Sequence, residues 1–427
     1  MSGLMRLLRR NELVNEFLNL KGNARACIWP EPLWGIPYNL YKPYVTLYML
    51  ALGLSMTQIG MITTIMYVAQ VISSVLSGVM ADKLGRRWCT VIFDTLSWSV
   101  PEILWCFSQN FTWFVVAALF NGMWKITDNS WGLLLTEDME KEKIMPVYSM
   151  ASCMGVIAAF FAPLSKFAVD AFGLVPAMRV MYGVTFVSMT AKFLIVFFVS
   201  HETTPGKKRM ELTKNKSVFR MIWECKDVYL RIIREKRMLL TLGIMAVYAL
   251  ITAVNDNWWS VFVVKNLGVA EGNVSWFSMI KGLITLLAIL IQVPRARKMN
   301  FKRPMLTSVA LFALSQALLM LLGLTGVSGA LLWALLIVVV GLEASSMALL
   351  SPLVSSILFI NADPDERARV CGMIYATVSL MICVFPTMIG ALADVSLYLP
   401  FAIDLMLFGL LALFTVKISA LPAPAEG

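Results

Sequence analysis

The ten residues Gly78-Val-Met-Ala-Asp82-Lys-Leu-Gly85-Arg86-Arg87 lie between two long apolar segments of the chain. Two glycines, one aspartate and two arginines occupy fixed places in this short stretch. A loop between two membrane spans is often basic, because positive residues hold a loop on the cytoplasmic side. That rule does not specify the spacing of the glycines and the aspartate, so we interpret the stretch as a motif that decides the fold.

The apolar content of the chain places it in a membrane. Hydrophobic residues make up 59% of its 427 residues and charged residues only 15%, whereas soluble domains carry roughly 25% charged residues. A soluble protein of this length could not bury so much apolar surface. Apolar runs of about twenty residues, each able to cross a hydrocarbon layer of about 30 Å as a helix, recur along the chain. We predict an all-α polytopic membrane protein with twelve transmembrane helices, at residues 31–53, 57–79, 88–108, 112–136, 145–170, 175–200, 238–262, 273–294, 304–325, 330–357, 368–391 and 397–419.

The net charge of +10 reflects membrane topology and does not indicate nucleic-acid binding. With twelve spans, most of the 36 lysines and arginines fall on one side of the membrane, and Lys265 lies in a loop on the other side. This asymmetry predicts that both termini are cytoplasmic, in the cell (plasma or inner) membrane. The basic cluster Lys207–Arg237 favours contact with anionic lipid headgroups.

The longest polar interruption divides the chain into two halves. Residues 201–237 form this linker, in which apolar residues recur at helical spacing between basic ones, and the pattern predicts an amphipathic helix in the membrane interface. We predict a six-helix bundle at 1–200, which includes an N-terminal amphipathic segment at Leu4–Leu20, and a second six-helix bundle at 238–427. Charged residues recur at the ends of corresponding spans, which indicates that the halves are repeats.

The motif at residues 78–87 resembles the G-x-x-x-D-[RK]-x-G-R-[RK] signature that major facilitator superfamily transporters carry between their second and third spans. The number of spans, the loop asymmetry and the repeat are similar to that superfamily as well. The resemblance implies two six-helix bundles that rock against each other and expose a central cavity to either side in turn. Span 5 lacks the glycine-rich signature of the proton-coupled drug exporters in that superfamily, which weakens the resemblance to them.

The resemblance also implies a cytoplasmic gate built on the motif. Asp82 would face a helix N-terminus across the bundle interface, that of span 11. Arg86 and Arg87 would pair with carboxylates at the inner ends of helices. Gly78 and Gly85 would permit close helix approach and a tight turn.

Polar residues inside the predicted spans indicate where a solute would bind, because a charge in hydrocarbon costs about 2.5–3.5 kcal/mol on insertion scales. In span 4, Lys125 and Asp128 share one helix face, either as part of a solute site or as an ion pair that braces the bundle. In span 7, Asn255, Asp256 and Trp258 combine polar groups with an indole ring, which suits a sugar or polyol. Tryptophan also anchors helices at membrane interfaces, so that alternative stays open for the indole.

Span 1 adds a further candidate to this site. It contains four prolines between residues 30 and 43, and each proline leaves a carbonyl without its helical partner. Unpaired carbonyls are tolerated in a membrane where protein or a water-filled cavity satisfies them. We therefore predict an irregular span 1 that contributes Asn39 or Lys42 to the cavity.

Glu343 lies near the centre of span 10, and no charged residue lies within one helical turn of it in sequence. An isolated carboxyl in this setting can carry a proton near neutral pH. The alternative is a permanently protonated carboxyl that is hydrogen-bonded to a neighbouring helix. We predict that Glu343 couples transport to protons, with Asp128 as the second candidate.

These features predict a monomeric secondary active transporter that moves a small polar organic solute, with a sugar or polyol favoured, in symport with protons. No G-x-x-x-x-G-K-[ST] stretch occurs and the chain has one histidine, so we expect no enzymatic activity, cofactor or metal site. One alternative is a proton-coupled multidrug exporter. Another is a membrane sensor or a lipid-flipping protein that keeps the fold without moving a solute.

Overall fold

A computed structural model shows an all-helical architecture. The structure describes residues 17–139, 157–218, 234–296, 301–361 and 367–421, together with residues 147, 150, 151, 154 and 155. Within these residues the chain contains no strand. The greater part of the predicted amphipathic segment at Leu4–Leu20 and of the predicted linker helix lies outside the described residues.

We number the described α-helices in chain order. The N-terminal half contains α1 (Gly22–Ile28), α2 (Pro32–Tyr41), α3 (Val45–Ala51), α4 (Met56–Leu84), α5 (Arg86–Asp94), α6 (Val100–Phe107), α7 (Phe111–Asn121), α8 (Trp124–Thr136), α9 (Leu164–Phe172) and α10 (Leu174–Val199). The linker begins with α11 (Thr204–Thr213). The C-terminal half contains α12 (Lys236–Lys265), α13 (Val274–Ala296), α14 (Lys302–Thr325), α15 (Gly329–Asn361), α16 (Arg367–Ile382), α17 (Phe385–Val395) and α18 (Tyr398–Ser419).

Several helical stretches are long and apolar enough to cross a membrane, which makes this a multi-pass membrane protein. In the described part of the chain there are 8 of them, at Met56–Leu84, Leu174–Val199, Lys236–Lys265, Glu271–Ile289, Lys302–Thr325, Gly329–Val354, Met373–Val395 and Tyr398–Ser419. They correspond to predicted spans 2 and 6 to 12. Predicted spans 1, 3 and 4 consist of shorter helices, which a length criterion does not select, so the number of twelve stays a prediction.

Prolines account for the breaks in span 1. Its chain runs through α2, a 3₁₀ turn at Lys42–Tyr44 and α3, so the predicted irregularity is confirmed. Pro37 lies inside α2, and Pro43 lies in the 3₁₀ turn. Proline has no N–H for the helical ladder, and its ring clashes with the preceding turn.

Span 3 is interrupted by a π-helical turn at Thr95–Ser99, between α5 and α6. Pro101 follows this turn and cannot donate to the carbonyl of Ser97, one helical turn earlier. The amide of Asn121, at the end of α7, donates to that carbonyl over 2.9 Å. A π-turn widens the helix locally and is frequent at functional sites.

The two halves of the chain meet where α4 packs against α16 and α17. Two glycines bring these helices into backbone contact. A Cβ on Gly60 would collide with the carbonyl of Pro386, and a Cβ on Gly390 would collide with the carbonyl of Met56. Only glycine allows helices to approach this closely, so this contact joins the halves tightly.

The halves are also joined at one end of the fold by hydrogen bonds. We call the end that carries residues 82–87 the signature face, and the opposite end, where α4 begins, the far face. At the far face the carboxylate of Asp394 accepts hydrogen bonds from the backbone N–H groups of Met56 and Thr57, both over 2.9 Å. The Thr57 hydroxyl donates to the same carboxylate over 2.6 Å. A carboxylate from one half therefore caps the first turn of a helix from the other.

Candidate functional site

A cavity of about 590 Å³ lies between the two halves. This volume falls in the range of pockets that bind small organic molecules. Most of its wall comes from the N-terminal half, and α12 supplies the part from the C-terminal half. Its aromatic and charged lining residues are Glu31, Trp34, Tyr38, Tyr41, Lys42, Tyr67, Asp94, Trp98, Trp105, Phe114, Trp124, Asp128, Trp131, Lys192 and Asp256.

Three aromatic rings form a continuous surface on one side of the cavity. Trp34 stacks on Tyr38 with their ring centroids 4.9 Å apart. Trp98, from the π-turn, meets Trp34 edge-on at 5.2 Å and Tyr38 at 5.9 Å. Aromatic faces of this kind hold the apolar faces of flat or ring-shaped solutes.

A buried charge cluster lies at the base of this aromatic surface. Lys192 of α10 is 5% exposed and donates to the carboxylate of Glu31 over 2.6 Å. Asp94, at the end of α5, is 7% exposed and accepts a hydrogen bond from the Thr127 hydroxyl over 2.7 Å. The cluster contains two carboxylates and one lysine, so its acidic groups outnumber its basic ones and both carboxylates interact with Lys192.

One ion pair connects the two halves across the cavity. The Lys42 ammonium lies 3.7 Å from the Asp256 carboxylate, and the two side chains are 46% and 60% exposed. Exposed pairs contribute little to stability, because water already solvates both ions. Both groups can therefore exchange this contact for a polar solute at little cost.

The predicted binding residues do not all line this cavity. Asp128 and Asp256 line it, as expected from the sequence. Asn39, Lys125, Asn255 and Trp258 are not among the residues that line it, and their role in binding stays a prediction.

Each of these four residues has a local reason for its position. Asn39 donates to the carbonyl of Gly35 in its own helix over 2.8 Å. Asn255 and Trp258 are 6% and 2% exposed, and Trp258 lies beside Gly60 and Thr63 of α4 where the two halves meet. The ammonium of Lys125 lies 3.8 Å above the ring of Trp124 and 3.5 Å from Asp128, and both of these partners line the cavity.

The sequence predictions missed several cavity residues. Glu31, Asp94 and Lys192 are charged residues inside or beside apolar runs, and that signal was available without a structure. Trp34 and Trp98 each follow one of these carboxylates by three or four residues, which is one helical turn. The combination of a carboxylate and an indole on one helix face would have pointed to the site.

The interpretation of Glu343 as an isolated carboxyl is wrong. Lys281 of α13 donates to the Glu343 carboxylate, which is 2% exposed. The partner comes from another helix, so a search within one turn of sequence could not find it. Its predicted role in proton coupling stays a prediction.

At the signature face, Arg86 is the centre of an ion-pair network. Its guanidinium donates to Asp82 over 3.0 Å and to Glu137 over 2.9 Å. Glu137 follows the last residue of α8, so the predicted pairing of Arg86 with a carboxylate at a helix end is confirmed. Glu202 accepts the backbone N–H of Arg86 over 2.8 Å. The predicted partner of Asp82, the start of span 11, adjoins residues 362–366, which lie outside the described part of the chain.

The predictions for the other three motif residues, Arg87, Gly85 and Gly78, have different outcomes. Arg87 donates to the carbonyl of Phe197 over 2.9 Å, and its guanidinium has no carboxylate partner among the described residues. The nearby Glu202 accepts backbone N–H groups instead. Gly85 has a φ of 80°, which confirms the predicted tight turn. A Cβ on Gly78 would meet no described atom within 4 Å, and the predicted close helix approach at this position stays a prediction.

Comparison with known proteins gives one consistent result. A family model described as Major Facilitator Superfamily matches residues 35–386. The fold is similar to that of the nucleoside transporter NupG, with a TM-score of 0.70, 15% identity, and coverage of 94% of this chain and 100% of that chain. It is also similar to a peptide transporter POT in complex with sulfate, with a TM-score of 0.68, 14% identity, and coverage of 94% and 96%. No curated protein matches the chain. At these identities the similarity to solved structures shows the fold alone.

Proposed function

The chain belongs to the major facilitator superfamily, and we propose that it is a secondary active transporter that moves a small polar organic solute by alternating access. The cavity between the two halves is the observation that carries this proposal. A six-helix bundle at 1–200 would move against a second bundle at 238–427, with residues 201–237 as the linker. The far-face contacts between the halves favour a state in which the cavity opens to the signature face.

The cavity wall supports a solute that has both a ring and polar groups. Trp34, Tyr38 and Trp98 offer aromatic faces, and Lys42 and Asp256 offer exposed charges that can bind hydroxyl groups. A sugar or polyol meets these requirements, because its C–H face stacks on an indole while its hydroxyls bond to carboxylates. Trp258 does not contribute to this surface, because its ring is 2% exposed and does not line the cavity.

Proton coupling is the second part of the proposal. Carboxylates inside the membrane are costly and commonly mark proton pathways in transporters. Glu343 and Asp128 are the candidates from the sequence. The basic loops support a cell-membrane location with both termini in the cytoplasm. In that orientation the signature face is the cytoplasmic side.

Uptake into proteoliposomes tests the proposal. Purified protein in vesicles should take up radiolabelled glucose or mannitol saturably, and a pH gradient should drive accumulation. Asp256→Asn should raise the apparent KM roughly tenfold or more, because the solute loses one hydrogen bond to a charged group. Glu211→Gln is the matched control, because Glu211 is exposed on α11 and does not line the cavity, so its loss should leave uptake unchanged. Binding of these solutes without any uptake would contradict transport and favour a sensor.

One observation favours the multidrug exporter as a second candidate. The described charged residues of the cavity wall comprise the carboxylates Glu31, Asp94, Asp128 and Asp256 and the lysines Lys42 and Lys192. An acidic, aromatic cavity also suits a lipophilic cation. Saturable efflux of ethidium from the same vesicles, with no uptake of the sugar or polyol, would replace the first proposal by this one.

A further inference from the structure

A buried carboxyl group lies behind the wall of the cavity, in span 3. Glu102 of α6 is 0% exposed, although Trp98 and Trp105, about one helical turn before and after it, both line the cavity. Glu102 is therefore on the cavity side of span 3, and a side chain from another helix covers it. That side chain is Tyr41, whose hydroxyl donates to Glu102 Oε1 over 2.7 Å. Because Tyr41 also lines the cavity, it contacts both the carboxyl and the space that a solute would fill.

The break in span 1 holds Tyr41 over this carboxyl. Tyr41 is the last residue of α2, and the 3₁₀ turn that contains Pro43 follows it. The ring of Tyr41 packs 4.8 Å from the ring of Tyr182 and 5.5 Å from that of Tyr38, measured between centroids. Tyr38 belongs to the aromatic surface of the cavity, so a solute that stacks on this surface lies next to Tyr41.

No basic group is paired with Glu102 in the described part of the chain. On the adjacent α10, Arg179 donates to the carbonyl of Ser108 and Lys192 donates to Glu31. The helix α7 and the π-turn, which also pack against α6, have no titratable residue. The other titratable groups nearby are a thiol and three phenols, those of Cys106, Tyr41, Tyr48 and Tyr182. Glu102 Oε2 has no hydrogen-bond partner among the described residues. A proton on this carboxyl therefore removes a buried charge that only one donor stabilises.

We propose that Glu102 is the proton-binding residue of this transporter and that Tyr41 links its protonation to the binding of the solute. This inference rests on the proposed proton-coupled transport. Glu102 differs from Glu343 and Asp128, which each have a lysine partner. The 2.7 Å hydrogen bond to Tyr41 provides the path for the proton.

Proton uptake is a transfer along this one hydrogen bond. A hydronium ion in the cavity gives a proton to Tyr41 Oη, the former O–H bond of Tyr41 breaks, and an O–H bond forms on Glu102 Oε1. The hydronium ion becomes water, Tyr41 remains a neutral phenol, and the carboxylate becomes a carboxylic acid. In the reverse step the carboxylate regains the Tyr41 O–H as a charge-assisted hydrogen bond, so it is not left without a donor.

Protonation changes what Tyr41 offers to a solute. While Glu102 is ionised, its carboxylate holds the single O–H of Tyr41, and the phenol has no donor for the cavity. Once Glu102 carries the proton, its own O–H donates to Tyr41 Oη, and the Tyr41 O–H is free to turn towards a solute hydroxyl. A solute that accepts this hydrogen bond binds the protonated form more tightly and in turn promotes protonation. Symport requires coupling in this direction.

Infrared spectroscopy of the protein in lipid vesicles tests the site without any solute. A protonated carboxyl shows a carboxylic C=O stretch that a carboxylate lacks. At neutral pH, Glu102→Gln should remove part of this band, because the amide fills the same space and carries no acidic proton. In the wild type that part should disappear as the pH is raised. Tyr41→Phe should shift its frequency and let it persist to a higher pH, because the acid loses its partner and the carboxylate loses its donor.

Two control variants separate this site from its surroundings. Tyr48→Phe removes a buried phenol that donates to the carbonyl of Trp105 instead of to a carboxyl. Glu211→Gln removes an exposed carboxylate of α11. Both variants should leave the frequency of the band and its dependence on pH unchanged.

Opposite outcomes keep the site distinct from the transport proposal. A band that Glu102→Gln leaves intact, or that Tyr41→Phe leaves at the same frequency, would overturn the assignment of the proton to this pair. A band from Glu102 that stays constant at every pH would show a permanently protonated structural carboxyl and would overturn its role in coupling. Failure of the wild type to transport glucose or mannitol concerns the proposed function alone.

Discussion

A single buried lysine compensates the charge at the base of the cavity. Lys192 is paired with Glu31 and lies within the electrostatic reach of Asp94. Lys192→Met leaves both carboxylates buried without a cation, and we expect a loss of about 3–5 kcal/mol in stability. Thermal unfolding of the purified variant in detergent should therefore begin at a lower temperature than that of the wild type.

Two further variants separate charge from packing at this position. Lys192→Met combined with Glu31→Gln removes the lysine together with its closest carboxylate and should recover part of the lost stability. Lys208→Met, at an exposed position of α11, should stay within about 0.5 kcal/mol of the wild type. Equal stability of Lys192→Met and the wild type would show that the pair is not needed to hold the cluster.

Span 7 shows which cavity residues could be identified from the sequence alone. Composition pointed to the polar run, and Asp256 does line the cavity. The face that α12 presents consists of residues 252, 253, 256 and 257, which are one turn apart in pairs. Asn255 and Trp258 lie off this face. Four successive residues of a helix cover all its sides, so their type cannot tell which one points inward.

The signature loop is an element whose fold and function can be separated by mutation. Asp82→Asn removes one partner of Arg86, but Arg86 keeps Glu137. We expect the variant to fold and insert while transport is impaired, because the amide fills the same space without the charge-assisted bond. Uptake assays on a purified, correctly folded variant measure this. Full transport activity would show that the loop is not a gate.

The close contact between α4 and α17 sets how easily the far face opens. Gly390→Val adds side-chain atoms where the backbone of Met56 already lies, which should cost about 1–3 kcal/mol in the closed state. The far-face-open population should rise roughly tenfold for each 1.4 kcal/mol of this cost. Thr46 lines the cavity, so labelling of Thr46→Cys by an impermeant maleimide from the far side should speed up accordingly.

A matched glycine provides the control for this experiment. Gly409→Val lies in α18, where a Cβ would meet no described atom within 4 Å, so labelling should match the parent protein. Both variants require a background in which the 7 native cysteines are replaced. An unchanged labelling rate in Gly390→Val would mean that the glycine contact does not hold the far face closed.

Element boundaries were predictable where proline marks them. The four prolines of span 1 indicated a broken helix, and the structure contains one. The break in span 3 was not predicted, because a single Pro101 is compatible with a continuous span. The break is stabilised by the amide of Asn121, which donates a hydrogen bond to the carbonyl that Pro101 leaves free. That partner comes from a different helix, and local sequence carries no trace of the pairing.

Across the whole molecule, the Lys42–Asp256 pair links the two halves through the cavity. Lys42→Asp places two carboxylates opposite each other, and repulsion should strongly reduce uptake. Adding Asp256→Lys restores opposite charges and should recover part of the uptake. The measurement is the uptake of glucose or mannitol by the single and double variants in proteoliposomes. If the double variant is no better than the single one, the two residues act independently.

The global architecture followed from the sequence because hydropathy and loop charge act along the chain. Both are sums over many residues, so errors at single positions cancel. The cavity could not be derived in this way, because its wall combines helices that are distant in sequence, such as α2, α5 and α12. Lys281 was missed for the same reason, since its partner Glu343 lies on another helix.

The cap that Asp394 places on the first turn of α4 also has a pharmacological consequence. A transporter whose far face is closed at rest should respond differently to an inhibitor added on one side of the membrane or on the other. A membrane-impermeant competitor added on the signature side would find its site vacant and should inhibit without delay. The same compound confined to the opposite side can bind only after turnover has opened the far face. Its potency there should depend on how fast the protein cycles.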